Sequence, residues 1–388
     1  MGHLGAVSAP GGVRGLTKFL HTSDWQLGKP FGRTSVETRA ALQDARLDAI
    51  DRIAAAARNA GVRIALVAGD VFDNSEPGDR VFRQALSRMK AAADIQWVLL
   101  PGNHDPARAD GLWSRIRSEA PINVVACVEQ HITKIEDELS ILPAPLQFKR
   151  SSDDPTSWFN NAVTEPGSNR IGLAHGSVVE FGSSGPNNLI DPDRATKAGL
   201  QYLALGDWHG VREVNSRTFY SGTPEPDDFG REITGRVLIV ELRGSVAPPS
   251  VREVIVEKYS WREEAWQISS ATEMAKLMSQ AFPIAERQRI VARLTLSGLV
   301  TLADRVSALT QLEDGLAHEL RWLDLRAADL HGRATEDDLS DIDAQGVLRT
   351  AAERLRAMAA EPGASASIAQ TALERLYIEI QRVRQTES

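Results

Sequence analysis

The sequence has one cysteine and no long apolar run, and each of these features excludes a class of protein. It also contains no repeat. The single cysteine among 388 residues, Cys127, excludes an internal disulfide framework and fits a reducing compartment. No apolar run approaches the roughly 18 residues that a membrane-spanning helix needs. A hydrophobic content of 42% with 25% charged residues is ordinary for a globular protein. We therefore expect a cytoplasmic globular protein that does not associate with a membrane.

The sequence also lacks an excess of positive charge. A formal net charge of −8 is unusual for a protein that binds nucleic acid, because such proteins normally direct cations at phosphates. The first 260 residues hold 29 basic and 32 acidic side chains. Two bound divalent cations would change their charge from −3 to about +1. The net charge therefore decides neither for nor against a nucleic-acid substrate.

The length of the chain predicts more than one domain, because 388 residues exceed what a single core usually supports. Residues 1–16 are rich in Gly, Ala and Pro and lack the basic start and apolar stretch of a signal peptide, so we expect a flexible extension. The main domain is predicted at 17–262. The pattern after Trp261, in which helices (272–281, 302–312) alternate with strands (289–296, 319–327), predicts a small α+β domain at 263–361. A polar acidic stretch at 334–345 and a helix at 347–360 precede the Pro362-Gly363 break, and 362–388 form a C-terminal helix.

The main domain is predicted to have an α/β layered architecture. Helices are expected at 36–60, ending at Gly61, and at 79–93. Residues 151–169 are polar and are predicted to be a surface loop. Five short apolar runs have the length and composition of buried strands, at 18–23, 63–68, 96–100, 170–174 and 201–205. Three later runs, at 217–221, 235–242 and 252–259, look like antiparallel strands that complete the sheets. Strands that alternate with helices indicate an α/β fold.

Candidate metal ligands follow all five of the buried strands. In α/β sheets, ligand sites form outside the carboxyl ends of the strands, so residues that follow several strands meet there. A single Asp or His after a strand is usually a turn former, but five such positions in one chain are poorly explained in that way. In chain order the candidates are Asp24 and Gln26, Asp70, Asn103 and His104, His175, and Asp207 and His209.

This mixture of carboxylate, amide and imidazole suits two-metal phosphoester hydrolysis. A carboxylate bridges the two cations, which lower the pKa of a shared water and neutralise charge that develops on the phosphoryl oxygens. Asp70 is central in the run and is the natural bridge. His104 is predicted to point away from the metals, where it can protonate the leaving oxygen or stabilise the transition state.

Three motifs, LHTSDW at 20–25, AGDVFD at 68–73 and LPGNHD at 100–105, resemble those of the calcineurin-like metallophosphoesterases. Within that superfamily, YSGTPEP at 220–226 followed by Phe229-Gly230 is similar to a loop of the nuclease subunit of bacterial SbcCD and its break-repair relatives. The resemblance is strong over 17–260 and loose beyond. It implies a four-layered α/β/β/α sandwich with a small C-terminal α+β capping domain and a helical tail.

The resemblance also implies a ligand set. Asp24, Asp70 and His209 would hold one metal, with Gln26 at a further ligand position, and Asp70, Asn103, His175 and Asp207 would hold the other. His104 takes the acid or transition-state role. Gln26 and Asp207 stand where the family usually has histidine. Fewer imidazoles and more oxygens favour harder cations, so we expect manganese, or magnesium, over zinc and nickel.

The leading functional hypothesis is a metal-dependent DNA nuclease, exonucleolytic or endonucleolytic, that acts in DNA repair with an SMC-like coiled-coil ATPase. The alternatives are a phosphodiesterase or phosphatase for nucleotides or phosphoproteins, and a weakened nuclease-like scaffold that binds DNA ends or the ATPase. The resemblance suggests a homodimer and places the ATPase contact in the C-terminal region. The last helix has an apolar stripe (Leu373, Leu376, Tyr377, Ile380 and Val383), which could bind the partner or pack on the chain's own small domain. Among the arginines that follow site loops, Arg108 is a candidate phosphate contact.

Overall fold

The computed structural model describes residues 17–136, 139–178, 188–229, 233–244, 247–342 and 346–387. The extension predicted at 1–16 lies outside the described residues. The chain divides into two units, the first comprising Met1–Asp227 with Glu232–Tyr259 and the second Asp228–Arg231 with Ser260–Ser388.

Strands and helices alternate along the first unit. Its strands are β1 (Thr17–Thr22), β2 (Ile64–Val67), β3 (Gln96–Leu99), β4 (Val124–Ala126), β5 (Thr133–Glu136), β6 (Leu139–Ala144), β7 (Asn169–His175), β8 (Ser177–Val178), β9 (Leu189–Ile190), β10 (Tyr202–Gly206), β11 (Arg212–Asn215), β12 (Thr218–Tyr220), β13 (Arg236–Leu242) and β14 (Ser250–Ile255). Its helices are α1 (Val36–Asn59), α2 (Asp79–Ala91), α3 (Leu112–Glu119) and α4 (Arg194–Lys197), with a 3₁₀ helix at Ser157–Asn161.

Two six-stranded sheets form the centre of this unit, in the orders β14-β13-β1-β2-β3-β4 and β11-β12-β10-β7-β6-β5. The strands β1 to β4 are parallel, as are β6, β7, β10 and β12. Parallel neighbours end at the same edge of a sheet, so the carboxyl ends of β1, β2 and β3 lie side by side, and those of β7 and β10 do likewise. The five strands predicted from apolar runs are present within two residues of their expected bounds.

Alternation of side chains along the strands builds the layers. In β1, Phe19 faces the second sheet and Leu20 faces the helices of the first sheet, and Leu66 and Val67 of β2 divide in the same way. On the outer side of the second sheet, Phe159 of the 3₁₀ helix packs with strand residues and α4. The layers are therefore helix, sheet, sheet, helix, and the predicted sandwich fold is confirmed.

Some local predictions for the first unit were incomplete. The structure adds α3, β4, β5 and β6, and the polar segment 151–169 contains a 3₁₀ helix with a fully buried Phe159. Strand β6 is entirely buried but contains Pro143, a residue that argues against an interior strand. Strand β5 pairs only with Leu139 to Ile141 of β6, so Pro143 lies beyond the ladder on that side.

The second unit contains a parallel three-stranded sheet with helical connections. Its strands are β15 (Ser260–Gln267), β16 (Ile290–Thr301) and β17 (Trp322–Arg333), and its helices are α5 (Ala271–Ala281), α6 (Leu302–Thr310), α7 (Ala317–Glu319), α8 (Glu336–Ile342), α9 (Val347–Ala360) and α10 (Ala364–Glu387). A 3₁₀ helix at Ile284–Arg289 precedes β16, and a π-helix at Gln311–Leu316 follows α6. Helix α8 lies in the stretch expected to be merely polar, because Thr335 and Asp338 cap each other's backbone N–H groups and Leu339 is buried.

The stripe on α10 packs within the second unit. Leu373 is 1% exposed and Tyr377 is 4% exposed, both in a cluster with Leu302 of α6 and Leu339 of α8. Val383, at the end of the stripe, is 52% exposed. No described helix is long and apolar enough to cross a membrane.

Candidate metal centre

Four of the predicted ligand positions have a left-handed backbone. The φ angles are 54° at Asp24, 43° at Gln26, 54° at Asp70 and 103° at Asp207. Residues other than glycine rarely adopt this conformation, and it occurs where surrounding contacts enforce it, often at functional sites. The Asp24 N–H donates to Gly69 O at 3.1 Å, and the Gln26 N–H donates to Asp70 O at 2.9 Å. The loops after β1 and β2 are therefore tied to each other where they carry these carboxylates.

Two glycines allow the site loops to approach closely. A β-carbon at position 102 would lie 2.1 Å from Asp70 Oδ1, and one at position 69 would lie 2.2 Å from His175 Nδ1. Both distances are far below any normal contact. Gly69 also has a φ of 89°, which a larger residue rarely adopts. The convergence of Asp70 with the loop after β3 and with His175 thus depends on these two glycines.

One cation position is outlined by four donor atoms. His175 Nε2 lies 3.2 Å from Asn103 Oδ1, 3.5 Å from Asp70 Oδ1 and 3.7 Å from Asp207 Oδ1. Donors bound to one ion at about 2.1 Å are separated by roughly 3.0–3.4 Å in octahedral or tetrahedral geometry. The distance to Asn103 lies in this range, and those to Asp70 and Asp207 are slightly longer. The donor types suit a divalent cation, which would draw these side chains together.

The orientation of His175 suits a ligand. Its Nδ1 donates to Ala68 O at 2.8 Å, because a carbonyl oxygen can only accept, so Nε2 is the nitrogen that faces the oxygens and can bind a cation in place of a proton. Burial of the ring disfavours its charged form, but the carboxylates of Asp70, Asp24 and Asp207 outweigh burial and raise the pKa of His175 to about 9. The same negative potential that holds a proton there attracts a cation.

Asp24 extends the cluster towards a second position. Donor atoms of Asp24, Asp70 and His175 lie within 4.8 Å of one another, and all three residues are buried. The Asp24 carboxylate accepts from the Ser23 hydroxyl at 2.6 Å and from the Asp207 N–H at 3.2 Å. Burial raises the pKa of Asp24 and outweighs the nearby imidazoles that lower it. A divalent cation would stabilise the charged form of this carboxylate, which burial has deprived of solvating water.

His209 and Gln26 are the remaining predicted ligands of this second position. His209 Nδ1 donates to Asp227 Oδ1 at 3.1 Å, and His209 Nε2 lies 3.3 Å from Gln26 Nε2. Gln26 Oε1 accepts from Lys29 Nζ at 2.9 Å. The structure places Gln26 beside His209, with the oxygen that a ligand would offer directed at Lys29.

The sequence analysis missed the groups that hold His209. Asp227 is buried and also accepts from Lys29 Nζ at 2.5 Å and pairs with Arg46 at 3.0 Å. Burial alone would raise the pKa of Asp227, but Arg46, His209 and Lys29 outweigh it and hold the pKa far below its usual range. A sequence signal existed, because Arg46 lies on the apolar face of α1, four residues after Leu42.

His104 lies beside the metal ligands and is fixed by two contacts. Its backbone N–H donates to Asp70 Oδ1 at 2.9 Å, and its Nδ1 donates to the carbonyl oxygen of Asp73 at 2.9 Å. The ring is half-buried, and the contact at Nδ1 leaves Nε2 as the nitrogen that can exchange a proton with a substrate. The general-acid role of His104 stays a prediction.

Asp105 ties the loops behind the site together. It is fully buried, and its carboxylate accepts from the N–H groups of Gly102 at 2.7 Å and Phe72 at 2.9 Å. Asp207 is held from the other side by the Ser177 hydroxyl at 2.7 Å. The structure thus brings all eight predicted positions into one region at the carboxyl ends of the strands.

Comparisons with known proteins identify a family for part of the chain. Residues 17–229 match the family described as calcineurin-like phosphoesterase. Among solved structures, TT1561 of Thermus thermophilus aligns with a TM-score of 0.42 and 10% identity, covering 62% of this chain and 100% of that one. A dimetal phosphatase from Danio rerio aligns with a TM-score of 0.34 and 11% identity, covering 62% and 98%. A search of curated protein sequences finds no match.

Proposed function

The chain belongs to the calcineurin-like phosphoesterase family, whose members are metal-dependent phosphoester hydrolases, and we propose that it is a DNA nuclease that hydrolyses phosphodiester bonds. The observation that carries the proposal is the loop at 220–226, because its sequence resembles the nuclease branch and its atoms brace the site. The Thr223 hydroxyl donates to Asp24 O at 2.9 Å, and the Thr223 N–H donates to His209 O at 2.9 Å. Glu225 of the same loop accepts from the Lys258 and Tyr259 N–H groups at 2.8 and 2.9 Å.

The exposure of the site suits a polymeric substrate. The side chains of Asp70 and His175 at its floor are 3% and 0% exposed, whereas those of Asp207 and His209 at its rim are 27% and 25% exposed. An open rim allows a polynucleotide backbone to pass across the buried ligands. Arg108, four residues after His104, lines a depression with Ser75, Glu76, Pro77 and Gly111. The positively charged Arg108 side chain can there contact a phosphate next to the scissile one.

Different residues of the chain would bind the cations and transfer the proton. Asp24, Asp70, Asn103, His175, Asp207 and His209 would hold the cations. The cations would supply an activated water and neutralise charge on the phosphoryl oxygens. His104 Nε2 protonates the leaving oxygen, a contribution that is typically worth about 10²–10⁴-fold in rate. The oxygen-rich ligand set favours manganese or magnesium.

We extend the proposal to a partner, an SMC-like coiled-coil ATPase that contacts the C-terminal helices, and to a homodimer. Most of the stripe on α10 is used inside the second unit, so the partner would bind the other faces of α9 and α10. Exposed apolar side chains lie there, including Met358 at 47% and Ile368 at 70%. An apolar exposed face next to a domain core suits the binding of a partner helix.

The test compares manganese-dependent degradation of labelled DNA with hydrolysis of bis-p-nitrophenyl phosphate. Wild-type protein should cleave both substrates, Asp70→Ala should cleave neither, and His104→Ala should lose more activity on DNA, whose leaving group needs a proton. Cleavage of the small ester alone, with the ATPase present, refutes the nuclease assignment and favours a phosphodiesterase or phosphatase. Cleavage of neither substrate with any metal favours a scaffold.

A further inference from the structure

Lys29 fixes the orientation of the Gln26 amide. Lys29 Nζ lies 2.9 Å from Gln26 Oε1 and 2.5 Å from Asp227 Oδ2. An ammonium group has donors and no acceptor, so the atom of the Gln26 amide that faces it must be the oxygen. The amide nitrogen of Gln26 is then directed at His209, 3.3 Å from Nε2.

This orientation engages the ligand atom of His209. His209 Nδ1 carries a proton, because it donates to the Asp227 carboxylate at 3.1 Å, so in the neutral ring that a cation requires the lone pair is on Nε2. The Gln26 amide donates to that lone pair. A cation beside Asp24 and His209 must displace this hydrogen bond before it can use Nε2.

The Gln26 amide cannot easily turn its own oxygen towards the cation to replace the ligand that it blocks. Turning the amide by 180° would place its NH₂ group against the Lys29 ammonium, two donors facing each other. Lys29 is itself held by buried Asp227, so it cannot move away freely. The ammonium also adds a positive charge close to this position.

Among the described contacts, no amide nitrogen faces His175 Nε2, and the His104 N–H that donates to Asp70 Oδ1 at 2.9 Å leaves that oxygen further lone pairs for a cation. His175 Nε2 faces Asn103 Oδ1 at 3.2 Å, Asp70 Oδ1 at 3.5 Å and Asp207 Oδ1 at 3.7 Å. Three oxygens and the Nε2 nitrogen converge there, with two carboxylate charges.

We propose that the two cation positions have unequal affinities and that Lys29 sets the difference by holding the Gln26 oxygen away from the position between Asp24 and His209. The inference rests on the proposed metal-dependent hydrolysis. Lys29 is a positioning residue, because it acts on the cation through Gln26. The position at His175 fills first, and the position at His209 fills at higher metal concentration.

The experiment is a Mn²⁺ titration of the whole chain without substrate, in which the electron paramagnetic resonance signal of free Mn²⁺ is measured. Wild-type protein should bind one ion at least tenfold more tightly than a second. In Lys29→Met the weaker dissociation constant should fall at least tenfold, and the tighter one should change less than threefold. Lys18→Met is the matched control, because Lys18 lies at the opposite end of β1, pairs with Glu241 at 2.6 Å and has a similar exposure of 32%. It should match wild type.

Gln26→Ala gives a second test with a definite sign. If Gln26 competes for His209, its removal lowers the weaker dissociation constant, and an unchanged constant overturns the competition. If Gln26 is a metal ligand, removal raises that constant, and the inference is wrong. Equal affinities in wild-type protein, or no tightening in a folded Lys29→Met variant, also overturn it. Because no substrate is present, unequal sites in a protein that cleaves no DNA refute the nuclease proposal alone.

Discussion

Replacing Gly102 with alanine should disable the metal centre. The added β-carbon would lie 2.1 Å from Asp70 Oδ1 and 2.4 Å from Asp70 N, whereas ordinary contacts begin at 3.4 Å. The backbone nitrogen cannot rotate away, so the loop after β2 or the loop after β3 must shift by more than about 1 Å. A misplacement of that size at a catalytic group costs about 10²-fold in rate. We therefore expect kcat/KM for bis-p-nitrophenyl phosphate with Mn²⁺ to fall by about 10²-fold or more.

Gly32→Ala is the matched control, because no heavy atom lies within 4 Å of a β-carbon at position 32. It should retain wild-type activity. Circular dichroism and the thermal unfolding transition show whether Gly102→Ala is folded. A folded Gly102→Ala protein with more than half of the wild-type activity would refute the close approach of the two loops. Should it not fold, Asp70→Asn tests the same carboxylate without adding an atom in the gap.

Three further predictions concern other contacts. Asp227→Asn should lower Mn²⁺ affinity or kcat/KM by about 10–100-fold, because the residue that orients His209 loses its charge, and unchanged values would contradict this role. The raised pKa of His175 means that Mn²⁺ displaces a proton at neutral pH, so the affinity should rise about tenfold per pH unit from pH 6.5 towards about 9 and then level off. Without metal, in EDTA, the free energy of unfolding should instead fall as pH rises through the same window, because the folded protein loses the proton that His175 binds more tightly than the unfolded chain does. Unfolding followed at several pH values checks this, and a flat profile in both measurements excludes the raised pKa. Leu373→Ala should destabilise the second unit by about 2–5 kcal/mol, whereas Val383→Ala at an exposed position should change its unfolding by less than about 0.5 kcal/mol.

The strands that carry the site could be predicted from sequence because each combines an apolar run with a polar residue at its end. The central residues of β1, β2, β3, β7 and β10 are buried on both faces, so each strand contains a short apolar run that is easy to recognise. Strand β6 was missed because Pro143 interrupts the expected pattern. Helix α8 was missed because it has only two apolar side chains, Leu339 and Ile342, and its other residues are polar or acidic.

The groups that orient the ligands could not be predicted in the same way. Asp227 is 18 residues from His209 and Arg46 is 179 residues from Glu225, whose carbonyl oxygen it contacts, so only the folded chain brings these partners together. The orientation of Gln26 is likewise a tertiary property, since it depends on where Lys29 and Asp227 lie. Sequence motifs identify which residue types reach the site, and packing decides which atom of each faces a cation.

The most direct test of the metal centre is the anomalous difference map of crystals grown with Mn²⁺. We predict a strong peak bounded by Asp70 Oδ1, Asn103 Oδ1, His175 Nε2 and Asp207 Oδ1, and a weaker peak beside Asp24 and His209 that gains occupancy as Mn²⁺ is increased. A map without a peak among the first four atoms at saturating Mn²⁺, or with its strongest peak elsewhere in the chain, would contradict the assignment of this cluster as the hydrolytic centre.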